Sequence, residues 1–439
     1  MASTKIWLNV TTSFFWSGPV VGIVRTETEI VKRLITMFQN KIRLCILDEE
    51  GFIEICQEDY LSKRNPKKLP QRSIYDGKGR FAKFIFKMKQ EDRVFHLTQK
   101  ILRPLIYNNR RKIKNVINNI RSKRNKDLFA SFNKGDVFVT LGLDWQYNFS
   151  QHLFSLRKNK EVKVITFCYD LIPILYPQYC VADVAASFKE YFINLSEGSD
   201  CIMCISQKTR EDLNDFLEHV GARIPKLQTV RLGSDCMLKP HDQSIIRENV
   251  EKILSERFIL FVSTIERRKN HEVLYRAYHR IIANGKDLSL PKLVFVGMEG
   301  WGINELLSDI RLDPLTQNQI VLLGRVNDYE LEMLYKKSEF TVFPSLYEGW
   351  GLGVAEALQH GKFVIASNTG SLPEVGGDLI WYEDPWNVSG WTEKIQKLCS
   401  SPELLGKLTK RVKEEYIPQT WDNACEDLSK EIKCLSRIV

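Results

Sequence analysis

Residues 340–378, FTVFPSLYEGWGLGVAEALQHGKFVIASNTGSLPEVGGD, narrow the folds open to this chain more than any other stretch. The apolar run 340–343 reads as a buried strand. It breaks at Pro344-Ser345 into a glycine-rich loop, Glu348-Gly349-Trp350-Gly351-Leu352-Gly353. A helix is expected over 354–360, stopped by Gly361, and a second buried strand over 363–366. Strand, loop, helix, strand is one βαβ unit, and such units build parallel sheets. Glycines let backbone approach a ligand closely, and a helix start aims N–H groups at an anion. Glu348 and Glu356, with seven residues between them, frame that place. A phosphate needs no carboxylate beside it, so the pair makes sense as acceptors for sugar hydroxyls. Each taken alone also reads as an ordinary solvated glutamate.

The stretch from Glu348 to Glu356 resembles the E-x7-E element of retaining glycosyltransferases of the GT-B fold. The family concerned, family 4, includes bacterial mannosyl-, glucosyl- and rhamnosyltransferases. FPSLYEGWGLGVAEAL is similar to its strand-loop-helix, and SNTGSLPEVGG resembles its next loop. The resemblance implies an α/β protein with two Rossmann-like, doubly wound domains facing a cleft, and a C-terminal helix crossing back to the first. It implies that Glu356 binds the nucleotide ribose and Glu348 the donor sugar's hydroxyls. Backbone at Gly351, Leu352 and Gly353 would lie against the sugar and distal phosphate.

A chain of 439 residues can bury two cores. The expected division is an acceptor-binding domain over 1–240 carrying a basic insertion at 62–126, a nucleotide-sugar-binding domain over 241–420, and a terminal helix over 421–439. Most of the ten cysteines sit in apolar runs, the usage of reduced, buried thiols in a cytosolic protein. Cys201 and Cys204 have C-x-x-C spacing, yet no second pair or histidine cluster completes a zinc site, so no metal is expected. No run of about 18 apolar residues occurs, which argues against a membrane-spanning helix. The N-terminal MASTKIWLNV reads better as a first strand than as a signal peptide.

Net charge is +9 but unevenly spread. Residues 62–126 hold 21 Lys and Arg against Asp76, Glu91 and Asp92, a local +18. Apolar residues recur there at helical intervals (Phe81, Phe84, Ile85, Met88; Ile113, Val116, Ile117, Ile120). Two readings stand: amphipathic helices docking on the inner face of an anionic membrane, or a solvated basic insertion with a core-facing stripe. No nucleic-acid module accompanies the charge, and no nucleic-acid partner is expected.

Elsewhere, strands alternate with helices. The first strand is followed by Gly18, Gly22 and Arg25 and a helix to Phe38, the usual ligand-facing start of a doubly wound domain. VVGIVRTETE resembles the family's N-terminal loop, where acceptor and donor phosphates meet, which brings Gly22 into the site. Tyr169-Asp170 follows a strand and resembles a family motif in which His commonly precedes the Asp. With Tyr169 in that place a histidine role does not carry over, while Asp170 is placed facing the acceptor. Two or three cations at the strand-to-helix turn TIERRKN suit a phosphate clamp, although most such runs are surface charge. TIERRKN also resembles the family's diphosphate-binding loop, which implies that Arg268 and Lys269 neutralise the leaving diphosphate. Gly324-Arg325-Val326 resembles the loop that contacts the base, and TWDNACEDL the returning last helix.

These likenesses imply a retaining hexosyltransferase without a required cofactor. Its donor would be a nucleotide sugar (GDP-mannose favoured, with UDP-sugars and dTDP-rhamnose open). Its acceptor would be a growing bacterial surface glycan or lipid-linked saccharide, reached from the cytoplasmic face of a membrane. The competing expectation is a non-catalytic glycan- or membrane-binding scaffold, for which the missing histidine at 169 speaks.

Overall fold

The apolar runs become strands of two sheets. A computed structural model describes residues 4–16, 20, 22–48, 51–61, 129–146, 149–180, 184–235, 246–285 and 290–436. The first strands are β1 (Ile6–Asn9), β2 (Ile42–Asp48) and β3 (Gly51–Ile55). After them come β4 (Val137–Thr140), β5 (Lys163–Cys168), β6 (Cys201–Cys204) and β7 (Lys226–Thr229). Residues 43–131 cluster apart from 1–42 and 132–439. In that smaller unit β2 and β3 pair as an antiparallel hairpin, with Leu44 opposite Ile55. The basic segment 62–126 and its two expected amphipathic helices lie outside the described residues.

In the larger unit β1, β4, β5, β6 and β7 lie side by side and parallel. All four residues of β1, β4 and β6 are buried, as the unbroken apolar runs require of a sheet covered on both faces. Asp136, just before β4, is also buried, and its carboxylate is satisfied by the Lys5 N–H (2.9 Å) and the Trp7 indole N–H (3.0 Å).

The second sheet holds β8 (Phe258–Val262), β9 (Lys292–Val296), β10 (Ile320–Gly324), β11 (Thr341–Phe343), β12 (Val364–Ser367) and β13 (Trp381–Glu383). Its order is β10-β9-β8-β11-β12-β13, all parallel. The order reverses direction between β8 and β11, and in doubly wound sheets ligands bind in the crevice outside the strand ends there. A core of Phe258, Phe261, Phe295, Phe340, Phe363 and Trp391 fills both faces.

The last helix, Trp421–Ser436, leaves the second sheet and packs on helix Gly22–Phe38 and on β4 and β5. Ion pairs from Arg33 to Asp422 (2.7 Å) and from Lys226 to Glu431 (2.6 Å) fix it there. This is the crossing-back helix that the sequence led us to expect.

Several boundaries differ from the sequence reading, the strands expected over 340–343 and 363–366 being Thr341–Phe343 and Val364–Ser367. The helix expected at 354 starts at Leu352, because Gly351 adopts φ +103° and caps it two residues earlier. The last short strand is Trp381–Glu383, and Gly377 at φ +53° precedes this return to extended backbone. Among the described residues no helix is long and apolar enough to cross a membrane.

Candidate active site

The chain leaves β8 through a single 3-10 turn, Arg267–Lys269. Asn270 ends the turn at φ +58° and starts helix His271–Ala283. Its amide donates to the carbonyls of Pro344 (3.1 Å) and Pro385 (2.7 Å), tying the turn to the segments that follow β11 and β13. The Leu346 N–H donates to the Arg268 carbonyl (2.8 Å), so the two loops at the reversal point are laced together.

That lacing brings four charged side chains into one cluster. Arg268 Nη1 donates to Glu348 Oε2 (3.0 Å) and to the Tyr347 carbonyl (2.7 Å), and Nη2 donates to Glu266 Oε1 (2.8 Å). Lys269 Nζ donates to the other Glu348 oxygen (2.5 Å). Burial alone would raise the Glu348 pKa, but Lys269 and Arg268 outweigh it and hold the carboxyl at about 2. Burial depresses Arg268, yet Glu348, Glu266 and Asp170 push it above its usual value. Lys269 is lowered, first by burial and then by Arg268, with Glu348 opposing both.

The Glu348 loop is itself held from behind. Ser371 donates to the Glu348 carbonyl through its N–H (3.1 Å) and its hydroxyl (3.0 Å), and the hydroxyl also reaches the Trp350 carbonyl (2.8 Å). A side chain at Gly349 would collide with the Tyr169 carbonyl and lie 2.9 Å from Asp170 Cβ. The glycine therefore lets the second sheet's loop press against the end of β5. Asp170 feels the same cluster: burial raises it, Arg268 and the Ile172 N–H (3.0 Å) lower it, and Glu348 raises it.

Glu356 lies one turn inside helix Leu352–Gln359. Its Oε1 accepts from Arg25 Nη1 (3.5 Å) and its Oε2 from the Tyr335 hydroxyl (3.2 Å). Burial raises its pKa, against Arg25 and Tyr335. Tyr335 is stacked on His360, with centroids 4.9 Å apart, so the hydroxyl is aimed by packing.

Arg268, Lys269, Glu348 and Asp170 thus form one electrostatic group. Gly351, Leu352 and Gly353 are the start of the helix that carries Glu356. Val326 is half-buried against the second core after β10, and Gly22 is exposed at the start of helix Gly22–Phe38. Tyr169 is not aimed at the cluster by its hydroxyl, which donates to the Leu141 carbonyl (2.5 Å) inside the first half.

Residues 242–415 match the family model described as glycosyl transferases group 1. This segment is a group 1 glycosyltransferase domain. The chain is 30% identical over 265 residues to a serotype-specific mannosyltransferase, WbdA, of Escherichia coli, covering 60% of this chain and 32% of that protein. It therefore spans about a third of that relative's length. An O-antigen chain mannosyltransferase B of the same species is 26% identical over 284 residues, 64% of this chain and 73% of the relative. Among solved structures, a glycosyltransferase from Rickettsia africae superposes with TM-score 0.56 at 16% identity, covering 99% of this chain and all of the other. Anabaena HepE in complex with UDP and glucose gives 0.56 at 12% identity, over 98% of this chain. Both likenesses concern the fold, which is the expected GT-B arrangement.

The Arg268, Lys269, Glu348 and Glu356 side chains all belong to the group 1 domain, whereas Arg25, which meets Glu356, does not. Arg25 comes from the first sheet's helix, and its stretch was singled out without a partner. Glu374 was passed over although it stands in the SNTGSLPEVGG loop. Its carboxylate accepts the N–H groups of Gln207 (2.8 Å) and Lys208 (2.7 Å) at the start of helix Gln207–His219. A carboxylate there completes another segment's helix start. Only the fold shows that the two are neighbours.

Proposed function

We propose that this protein is a retaining glycosyltransferase of family 4 that moves a hexose, mannose favoured, from a nucleotide-diphosphate sugar to a growing bacterial surface glycan. The reading rests on one arrangement: two cations clamped on Glu348 at the reversal point of the second sheet, with Glu356 on the adjoining helix. Its direction toward mannose and toward O-antigen chemistry is supported by the likeness to the two E. coli mannosyltransferases.

In this reading Arg268 and Lys269 turn from Glu348 toward the donor's diphosphate, which gains charge as the bond from sugar C1 to the phosphate oxygen breaks. An acceptor hydroxyl oxygen bonds to C1 on the same face, and its proton passes to the departing phosphate. Glu348 then accepts from sugar hydroxyls and Glu356 from the ribose, while Asp170 faces the acceptor. Two guanidinium or ammonium charges in a buried site are the kind of preorganised field that stabilises such a leaving group. The positive charge needed for departure comes from side chains, so we assign no metal to the step. Val326 and Gly22 would flank the base and the phosphates. Residues 62–126 would hold the protein against an anionic membrane on its cytoplasmic side.

Thermal unfolding with GDP-mannose, UDP-glucose and dTDP-rhamnose tests the reading, followed by measurement of nucleotide diphosphate release with a lipid-linked saccharide. GDP-mannose is expected to stabilise the protein and to be consumed. Lack of stabilisation and turnover with all three would remove it.

A further inference from the structure

Glu356 is gripped from the opposite side of the cleft. Arg25 belongs to the helix that follows β1, whereas Glu356 belongs to the helix that follows β11. The pair is single and long, 3.5 Å from Nη1 to Oε1, and each side chain keeps 19% of its surface exposed. The other carboxylate oxygen is taken by the Tyr335 hydroxyl, which packing holds in place. A ribose that uses Glu356 as its hydroxyl acceptor therefore meets the oxygen that Arg25 occupies. A hydroxyl can donate there only if the guanidinium gives way or shares.

We propose that Arg25 is a positioning residue that ties the two halves together through Glu356 in the donor-free protein and is displaced by the ribose of a nucleotide diphosphate. It rests on the reading of Glu356 as the ribose acceptor. Among the described residues, the other cross-cleft contacts do not meet that carboxylate. Glu374 caps the helix starting at Gln207, the Thr209 hydroxyl donates to the Gly349 carbonyl (3.2 Å), and the Tyr347 hydroxyl donates to Asp212. Those contacts can persist while the donor enters, so Arg25 is the tie that responds to it. Domain closure would then be held by one set of bonds and reported by another.

Calorimetric titration of the full-length protein with GDP and UDP tests this in Arg25→Gln, Arg25→Lys and Glu356→Gln. Losing one partly exposed ion pair that competes with the ligand should tighten binding of the preferred nucleotide about two- to fivefold in Arg25→Gln. Arg25→Lys should stay near wild type. The donor KM should fall in Arg25→Gln without a rise in kcat. Weaker binding in Arg25→Gln would make Arg25 a phosphate ligand and overturn the proposal, as would unchanged binding. Glu356→Gln binding as well as wild type would overturn the ribose reading along with it. Weakened Glu356→Gln with no tightening in Arg25→Gln would overturn this inference alone.

Discussion

The carboxyl ends of β1 and β4 and those of β8 and β11 occupy corresponding places in two parallel sheets, yet they treat acidic side chains in opposite ways. At the second, Glu348 is ionised, with two cations on its oxygens and its pKa held at about 2. At the first, Glu27 is fully buried, takes one N–H from Ser13 (2.6 Å) and has no partner at Oε2. Burial pushes it up to about 8, against the Ser13 bonds and with Asp144 adding to the rise. Asp144, also buried, is pushed up to about 7, with only the Thr140 hydroxyl (2.9 and 2.7 Å) opposing. The Asn9 amide donates to that hydroxyl (3.1 Å) and completes an uncharged network. Two sheets of similar plan therefore offer one strand-end region built of paired, ionised groups, with two cations clamped on carboxylates, and one whose carboxyls are pushed toward the neutral form among hydroxyl and amide groups. The contrast is in keeping with the proposed function, in which a charged donor meets one side of the cleft and a polyhydroxylated acceptor the other.

The largest expected effect comes from removing the field. Lys269→Ala should lower kcat about a hundredfold, the scale on which one electrostatic donor to a transition state acts. Arg268→Ala should do the same and also destabilise the fold by about 3 kcal/mol, because it strips a buried partner from both Glu348 and Glu266. Steady-state kinetics and thermal unfolding check both. Turnover at the wild-type rate in Lys269→Ala would mean that the two strand-end regions do not differ in the way described.

Next comes the contact that joins them. Gly349→Ala places a methyl against the Tyr169 carbonyl and 2.9 Å from Asp170 Cβ, in a loop pinned by Ser371. The halves must separate to admit it. We expect kcat/KM to fall about tenfold while the midpoint of thermal unfolding moves by only a few degrees. If activity survives, the close approach of the two halves is not needed for turnover.

The second region was largely legible from sequence and the first was not, for a physical reason. Glu348, Gly351, Arg268 and Lys269 lie on two short loops, each after an apolar strand, and Glu356 lies in the helix that continues one of them. Local spacing therefore reported their neighbourhood. The neutral network draws Asn9, Glu27, Thr140 and Asp144 from three separate segments, and Glu27 sits in TETEI, which reads as an amphipathic helix surface. Nothing in that pattern distinguishes a buried glutamate from a solvated one; only the fold brings Thr12 and Gly142 up against Glu27. Arg25 illustrates the intermediate case, flagged by its place after a glycine turn but with a partner 331 positions away. The returning helix was legible through TWDNACEDL, although its ion pairs to Arg33 and Lys226 were not.

The smallest effect on turnover, and the one that sharpens the contrast most directly, concerns pH. A carboxyl whose folded pKa lies above its unfolded value keeps its proton where the unfolded chain has lost it. Its contribution to stability is full below the unfolded value and is lost as pH rises to the folded one. For Glu27 that window runs from 4.5 to about 8, and for Asp144 from 3.8 to about 7. Glu348 behaves in reverse: its contribution is present above 4.5 and is lost as pH falls toward about 2. Inside its window each group changes stability by up to about 1.4 kcal/mol per pH unit. Glu27→Gln keeps the shape and the neutral state but cannot titrate. Its unfolding free energy, measured by urea titration at pH 5, 6, 7 and 8, should gain steadily on wild type as pH rises, with kcat at pH 6 little changed. A constant difference across that range would show that Glu27 is ionised in the folded protein, and the neutrality assigned to the first strand-end region would be wrong.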